Sequence, residues 1–455
     1  MGSRFHSVRL DKERCRGCSN CLMHCPTEAI RVRGGRAHII DELCIDCGAC
    51  IRVCSYHAKV ATTDHLADIE AFPYRIALPA PGFYAQFSHQ VHSIGQIMDA
   101  LKQIGFHEVF EVAVGADIVT RAIRELLKDH TLPRPLISSA CPTVTRIIQV
   151  RFPGLIDHLV PLRQPMEVAA GIARRAFCEK YHVKPEEIGI FFITPCAAKM
   201  TAIRSPLGQR KSHVDGAISI TEAYGAVMPL LSDLRHSKTV STATPLGVGW
   251  ASAGGEAAAT RHENTLSVDG IDNVIRVLEE VELGKLSDLD FLETAACVGG
   301  CVGGPLVYDN NFVARNTLKS ITRAMPQQDP QDTVELSQFN QSSLLMEQPI
   351  LPNDTQMKLS EDMEEALDKM KLMDEILERL PGYDCGSCGS PSCRTFAEDI
   401  VRGYCVEMDC IFLLKDRLKL MAQQMVDLSQ TQRELMGKEA ANAKTARETG
   451  EESEK

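Results

Sequence analysis

Two runs near the N-terminus repeat one spacing: Cys15-x2-Cys18-x2-Cys21-x3-Cys25-Pro26, then Cys44-x2-Cys47-x2-Cys50-x3-Cys54. In this rhythm three thiolates of a run hold one cubane and the fourth reaches the other cluster. Cys15, Cys18, Cys21 and Cys54 are therefore expected to ligate one 4Fe–4S cluster. Cys44, Cys47, Cys50 and Cys25 are expected to ligate a second. Structural zinc pairs rarely show this eight-cysteine rhythm. Ser55 departs from it, since proline often follows the last cysteine. Two clusters so close in sequence make an electron relay.

Four further cysteines sit in three separated motifs. They are Ser138-Ser139-Ala140-Cys141-Pro142, Thr194-Pro195-Cys196-Ala197-Ala198-Lys199, and the run from Glu293 through Cys297 and Cys301 to Gly304. Each alone is weak, because a lone buried cysteine is usually a small hydrophobe. A last group reads Cys385-x2-Cys388-x4-Cys393-x16-Cys410, with Cys405 close by as a rival fourth ligand. Of the eighteen cysteines, Cys178 and Cys405 are left over; Cys178 sits on an apolar helical face and reads as core packing.

Taken together and in this order, behind the two-cluster module, the three central motifs resemble the signatures of iron–iron (FeFe) hydrogenases. The resemblance runs over roughly residues 1–320 and includes the stretch Gly105–Asp117. It implies an H-cluster, a 4Fe–4S cubane joined to a two-iron site with CO, cyanide and dithiolate. Its ligands would be Cys141, Cys196, Cys297 and Cys301, with Cys301 bridging the two parts. Lys199 would bind one cyanide, and these five residues form the implied catalytic set. Pro79 matches a backbone contact to the other cyanide. An ammonium beside a buried anionic acceptor offsets its desolvation. Gly299, Gly300, Gly303 and Gly304 are expected to let backbone approach the cofactor. The segment around Cys385 looks like the small 4Fe–4S domain of Rnf-complex B subunits and corrinoid iron–sulfur proteins, whose x16 spacing favours Cys410 over Cys405.

The departures carry equal weight. Active hydrogenases keep a proton-carrying cysteine where Ala140 stands, also next to the cofactor. Their two glutamates on the preceding helix have no match in Ile118–Leu127, whose one acid, Glu125, is out of register. Thr194, Ala295, Ala202 and Val144 replace further family residues. General acid–base transfer needs a titratable group within reach, so ligand binding is expected to persist while turnover slows. This pattern resembles the putative sensory hydrogenases, which also carry the C-terminal cluster domain.

Positioning these residues requires an α/β fold. Apolar runs at Arg75–Leu78, Leu136–Ser138 and Ile188–Ile193 read as buried strands, and Met166–Lys180 and Ile271–Leu283 as helices between them. Parallel sheets flanked by helices follow, with ligands near strand ends. The expected division is a ferredoxin-like α+β module at 1–62, an H-cluster domain at 72–325 and a polar linker or surface-wrapping segment at 326–358. A linker helix with a small helical iron–sulfur domain at 360–412 and a tail at 413–455 complete it. Leu414, Leu418, Met421, Met425, Leu428, Gln432 and Leu435 form a heptad series, for either a homodimer through 413–436 or packing on the chain's own domain. Residues 437–455 are expected to be frayed or disordered.

The chain has 455 residues, 44% hydrophobic, and a net charge of −11. That charge argues against nucleic acid or an anionic membrane as partner. No apolar run of membrane-spanning length and no signal-type segment are read, so a cytoplasmic setting is expected. Closely spaced cysteines then mean metal rather than disulfides. The leading reading is a slow, reversible hydrogenase acting as a hydrogen or redox sensor. Its expected partners are dihydrogen, protons, maturation proteins and a redox partner such as ferredoxin or a signalling protein. The alternatives are a metabolic ferredoxin-linked hydrogenase with an altered proton path, and a non-catalytic electron-transfer or assembly protein similar to the Nar-type factors. A signalling scaffold working through the heptad helix is a fourth.

Overall fold

A computed structural model describes residues 5–87, 93–333, 341–353, 358–360 and 362–451. It divides into two compact units, residues 1–357 and 358–455.

In the first unit, the N-terminal segment forms two small antiparallel pairs. β1 (Val8–Leu10) pairs with β4 (Lys59–Ala61), and β2 (Ile30–Arg33) pairs with β3 (Arg36–Ile39). Between them lie two one-turn helices, Asn20–Met23 and Ala49–Arg52, each carrying cysteines. This module does not stand apart. Ala197 belongs to its apolar core, Ile45 belongs to a core of the central region, and Ser7 N–H donates to Thr201 Oγ1 at 3.1 Å.

The central region has two parallel sheets. One orders β6 (Glu108–Val109), β5 (Tyr74–Pro79), β8 (Ile188–Thr194) and β9 (Gly216–Ser219). The other orders β10 (Thr265–Asp269), β11 (Phe291–Ala295) and β7 (Leu136–Ile137). Every residue of β8 is buried, which explains its unbroken apolar sequence: a strand covered on both faces has no polar side. The helices Pro165–Tyr181 and Ile271–Glu282 occupy the expected segments.

The polar segment after residue 325 wraps the surface of this unit. Leu344 and Ile350 are buried, Arg163 N–H donates to Leu344 O at 2.8 Å, and the Arg163 guanidinium pairs with Glu347 at 2.9 Å. Residues 334–340 and 354–357 of that segment lie outside the described residues.

The second unit packs the helix Met363–Arg379 on the helix Cys393–Val401 around Met373, Ile376, Leu380 and Phe396. One continuous helix, Ile411–Glu451, follows. The helix continues past the heptad series through residues 437–451, a stretch rich in the helix formers Ala, Lys and Glu. Its heptad positions from Leu414 to Leu435 are exposed, so the stripe does not pack on its own domain. Among the described residues no helix is long and apolar enough to cross a membrane.

Candidate metal centres

The two parallel sheets end on one cavity of about 110 Å³. The chain leaves β5 into Ala80 and Pro81, β7 into Ala140 and Cys141, β8 into Pro195 and Cys196, and β11 into Ala296 and Cys297, and all eight residues line it. This is where parallel α/β sheets place ligands, at the carboxyl ends of their strands. Cys301 and Lys199 line it too. Cys141 and Cys196 each cap a helix, Pro142–Arg151 and Ala197–Arg204; Pro142 at the first helical position costs no hydrogen bond there.

The four central thiols lie close enough to disturb one another. Burial pushes Cys196 up, with Cys297, Cys301 and Cys141 adding to the effect and Lys199 opposing it. Burial likewise pushes Cys297 to about 11 and Cys301 to about 12. Cys301 keeps accessible surface nonetheless, because it faces the cavity. The raised thiols of Cys196, Cys297 and Cys301 suit a cationic iron centre, which takes thiolates.

Lys199 is buried, and its ammonium donates to Ala140 O at 2.9 Å and Gln164 Oε1 at 2.8 Å. Pro79 is the last residue of β5 and is buried; the next two residues, Ala80 and Pro81, line the cavity. Two of the glycines, Gly300 and Gly304, line the cavity. A Cβ at Gly300 would meet the backbone of Ala251 and Ala253, and one at Gly304 would fall on Pro195 O. Protein backbone crossing these two residues is thus a further reason for glycine there.

Two carboxyl groups on the cavity wall were given no role from sequence. Glu256 accepts from Ser138 Oγ at 2.6 Å, and Glu293 accepts from Gly254 N–H at 2.8 Å and Ala257 N–H at 2.7 Å. Burial and the nearby Glu293 push the Glu256 carboxyl up to about 8, against the Ser138 hydrogen bond and Lys199. Burial also raises Glu293. Across the β10–β11 pairing Glu293 sits opposite Ser267, which is exposed. Glu125, on the helix Val112–Leu126, points outward and pairs with Lys128 at 2.8 Å.

The eight N-terminal cysteines crowd together, and Cys50 feels Cys21 across the two expected ligand sets. Cys21 feels Cys18, Cys54 and Cys15, while Cys50 feels Cys44 and Cys25, and Cys47 feels Cys25 and Cys50. Cys47 also lines the central cavity and feels Cys297. The second group therefore adjoins the cavity. In the second unit Cys385, Cys388, Cys393 and Cys410 line one small pocket, whereas Cys405 Sγ sits 3.9 Å from Phe396 O. Cys178 packs against the core beside β8, as its apolar helical face implied.

A family model described as the iron-only hydrogenase large subunit, C-terminal domain, matches residues 74–264 and 251–305. A 4Fe–4S dicluster domain matches 7–55, and a domain described as a putative Fe–S cluster matches 380–412. The large subunit of a periplasmic iron hydrogenase from Nitratidesulfovibrio vulgaris is 27% identical over 66% of this chain and 86% of that protein. The NADP-reducing hydrogenase subunit HndD of Solidesulfovibrio fructosivorans is 23% identical over 66% of this chain and 64% of its own length. A cytosolic Fe–S cluster assembly factor of Candida dubliniensis is 24% identical over 39% of this chain. Among solved structures, a variant of the FeFe hydrogenase HydA1 from Chlamydomonas reinhardtii superposes with a TM-score of 0.51 at 16% identity, over 64% of this chain and 98% of that one.

Proposed function

Since the chain belongs to the iron-only hydrogenase large-subunit family, we propose that it binds an H-cluster in the central cavity and interconverts dihydrogen with protons and electrons slowly, as a sensor of hydrogen or redox state. One observation carries this reading: four thiols, the Lys199 ammonium and a buried carboxyl pair line a single cavity in which Ala140 offers no proton group. When bound, the two-iron site supplies the redox chemistry that splits dihydrogen into two protons and two electrons.

The protein's own residues do the rest. Cys141, Cys196, Cys297 and Cys301 would hold the cofactor, with Cys301 as the thiolate shared by its two parts. Lys199, fixed by Ala140 O and Gln164 Oε1, offers its charge to an anionic cyanide. Pro79 and the two residues after it, Ala80 and Pro81, would form the wall that meets the cofactor. Glu256 holds a proton near neutral pH, and Glu293 stands between it and the exposed Ser267. That pair gives protons a path away from the helix Val112–Leu126, which lacks one. Turnover is limited because the carboxyls stand on the wall while the position beside Cys141 is an alanine.

Cys25, Cys44, Cys47 and Cys50 would hold a cluster beside the cavity, and Cys15, Cys18, Cys21 and Cys54 a second one, which would supply a path for electrons. A fourth cubane, on Cys385, Cys388, Cys393 and Cys410, belongs to the second unit. The sixteen ligand thiols must stay reduced until iron arrives, which suits the cytoplasm. Maturation proteins deliver the two-iron site, and a redox or signalling partner takes the output. An assembly factor without a two-iron site has no use for Lys199 or for a protonated carboxyl in the cavity, so the first reading is favoured.

Infrared spectroscopy of protein matured with the two-iron cofactor tests this. CO and cyanide stretches that shift under dihydrogen are expected. Glu256→Gln should keep those bands and lower turnover at least tenfold. No such bands, with cubanes still seen by EPR, would sink the reading.

A further inference from the structure

The two N-terminal cysteine runs are near-copies in space as well as in sequence. After Cys25, Ala29 N–H donates to its Sγ at 3.2 Å, and after Cys54, Ala58 N–H does the same at 3.2 Å. Glu28 and His57, one residue earlier, both adopt positive φ, 51° and 49°. The next residues, Ile30 and Lys59, open β2 and β4, and each is 2% exposed. The same slot therefore holds an isoleucine in one half and a lysine in the other.

That lysine is anomalous. Its Nζ is buried and has no hydrogen-bond partner. A buried ammonium without a counter-charge is strongly unfavourable, and Ile30 shows that the slot accepts an apolar side chain. The groups on which Lys59 acts are Cys21 and Cys54 of one ligand set and Cys50 of the other. It thus stands between the two sets. Four thiolates around an iron–sulfur cubane make a net anion, and each such anion would supply the missing counter-charge.

We propose that Lys59 is a fixed cation shared by the two N-terminal clusters and that it raises their reduction potentials. This rests on the ligand sets assigned above but not on the H-cluster. When a cluster takes up one electron, no bond breaks and one negative charge is added. An adjacent ammonium in a poorly solvated site favours the more negative form. Lys59 thereby makes both clusters easier to reduce than the apolar Ile30-like slot would, and sets the level at which the relay accepts electrons. It touches neither substrate nor the reacting atoms.

The test uses the full chain with its cubanes reconstituted and no two-iron cofactor, poised with mediators and dithionite and followed by EPR. Wild type is compared with Lys59→Ile, Lys59→Met and Lys59→Arg. Both neutral variants should keep their iron. At a fixed solution potential, their reduced-to-oxidised ratio should fall about tenfold for at least one N-terminal cluster, equal to about 59 mV for a one-electron couple. Lys59→Arg should restore the ratio. The C-terminal cluster should titrate unchanged throughout. Unchanged N-terminal midpoints in iron-loaded neutral variants would overturn the proposal. So would loss of iron from both neutral variants, which would make Lys59 an assembly residue. Iron analysis of wild type comes first, because absence of the N-terminal clusters there would instead overturn the ligand assignment on which this rests.

Discussion

Glu256 sits in Ala253-Gly254-Gly255-Glu256-Ala257 and in sequence looks like any glutamate near a helix start. What changes it is Ser138, 118 residues away, whose hydroxyl fixes one carboxylate oxygen, together with burial and the second carboxyl of Glu293. The sign of its effect on stability can be worked out. The carboxyl ionises near its ordinary value of about 4.3 in the unfolded chain but only near 8 in the fold. Between those values the folded state holds one proton more than the unfolded state, so stability falls as pH rises. The slope of one such group is at most about 1.4 kcal/mol per pH unit. Glu256→Gln removes it. Thermal melts of the apo chain between pH 5 and pH 8, intervals set by the same two values, should fall less steeply for the variant; equal slopes would count against a raised Glu256. No local sequence signal could have marked this residue, because its partners come from other strands. The ligand cysteines were legible for the opposite reason. Iron sets their spacing, and spacing survives in one dimension.

At the scale of elements, β5 and β8 were legible because strands covered on both faces read as continuous apolar runs. β7 shows just two residues in its sheet, Leu136 and Ile137, yet its run stood out for the same reason. The wall positions Ala80 and Pro81 were not legible, since which residue after a strand turns inward depends on the turn and not on composition. The long helix Ile411–Glu451 was legible as a heptad. Its apolar stripe stays open, with Met425 and Leu428 each 71% exposed. In a parallel pair, Leu414, Met421, Leu428 and Leu435 would occupy d positions and Gln432 an a position, where a polar side chain fixes register. The flanking Ala422, Gln424, Ser429 and Thr431 carry no charge to oppose that pairing. The intact chain should therefore sediment as a dimer, and a chain ending at residue 412 as a monomer. A monomeric intact chain would leave the stripe to another partner.

For the whole molecule, the division at residue 357/358 matters most. The second unit has its own apolar core, its own four-cysteine pocket and its own helix. Residues 358–455 produced alone should fold and take up one 4Fe–4S cluster, read by iron content and EPR; failure to bind iron would argue that the two units assemble together. The first unit is not divisible in the same way. Residues 1–62 share core residues with the central region, so the sequence boundary at 62 marks a change of motif and not a seam in the packing.

The cavity's four cysteines come from widely separated points of the chain. Cys141 and Cys196 are 55 residues apart, and Cys196 and Cys297 are 101 apart. Iron held by them as proposed would act as a cross-link, closing two long loops at once. Loop closure grows only slowly with length, so the loaded chain gains nearly all the entropic benefit of a pair of long-range staples. The two parallel sheets, which share no strand pairing, are then held together through the metal as well as through their packed faces.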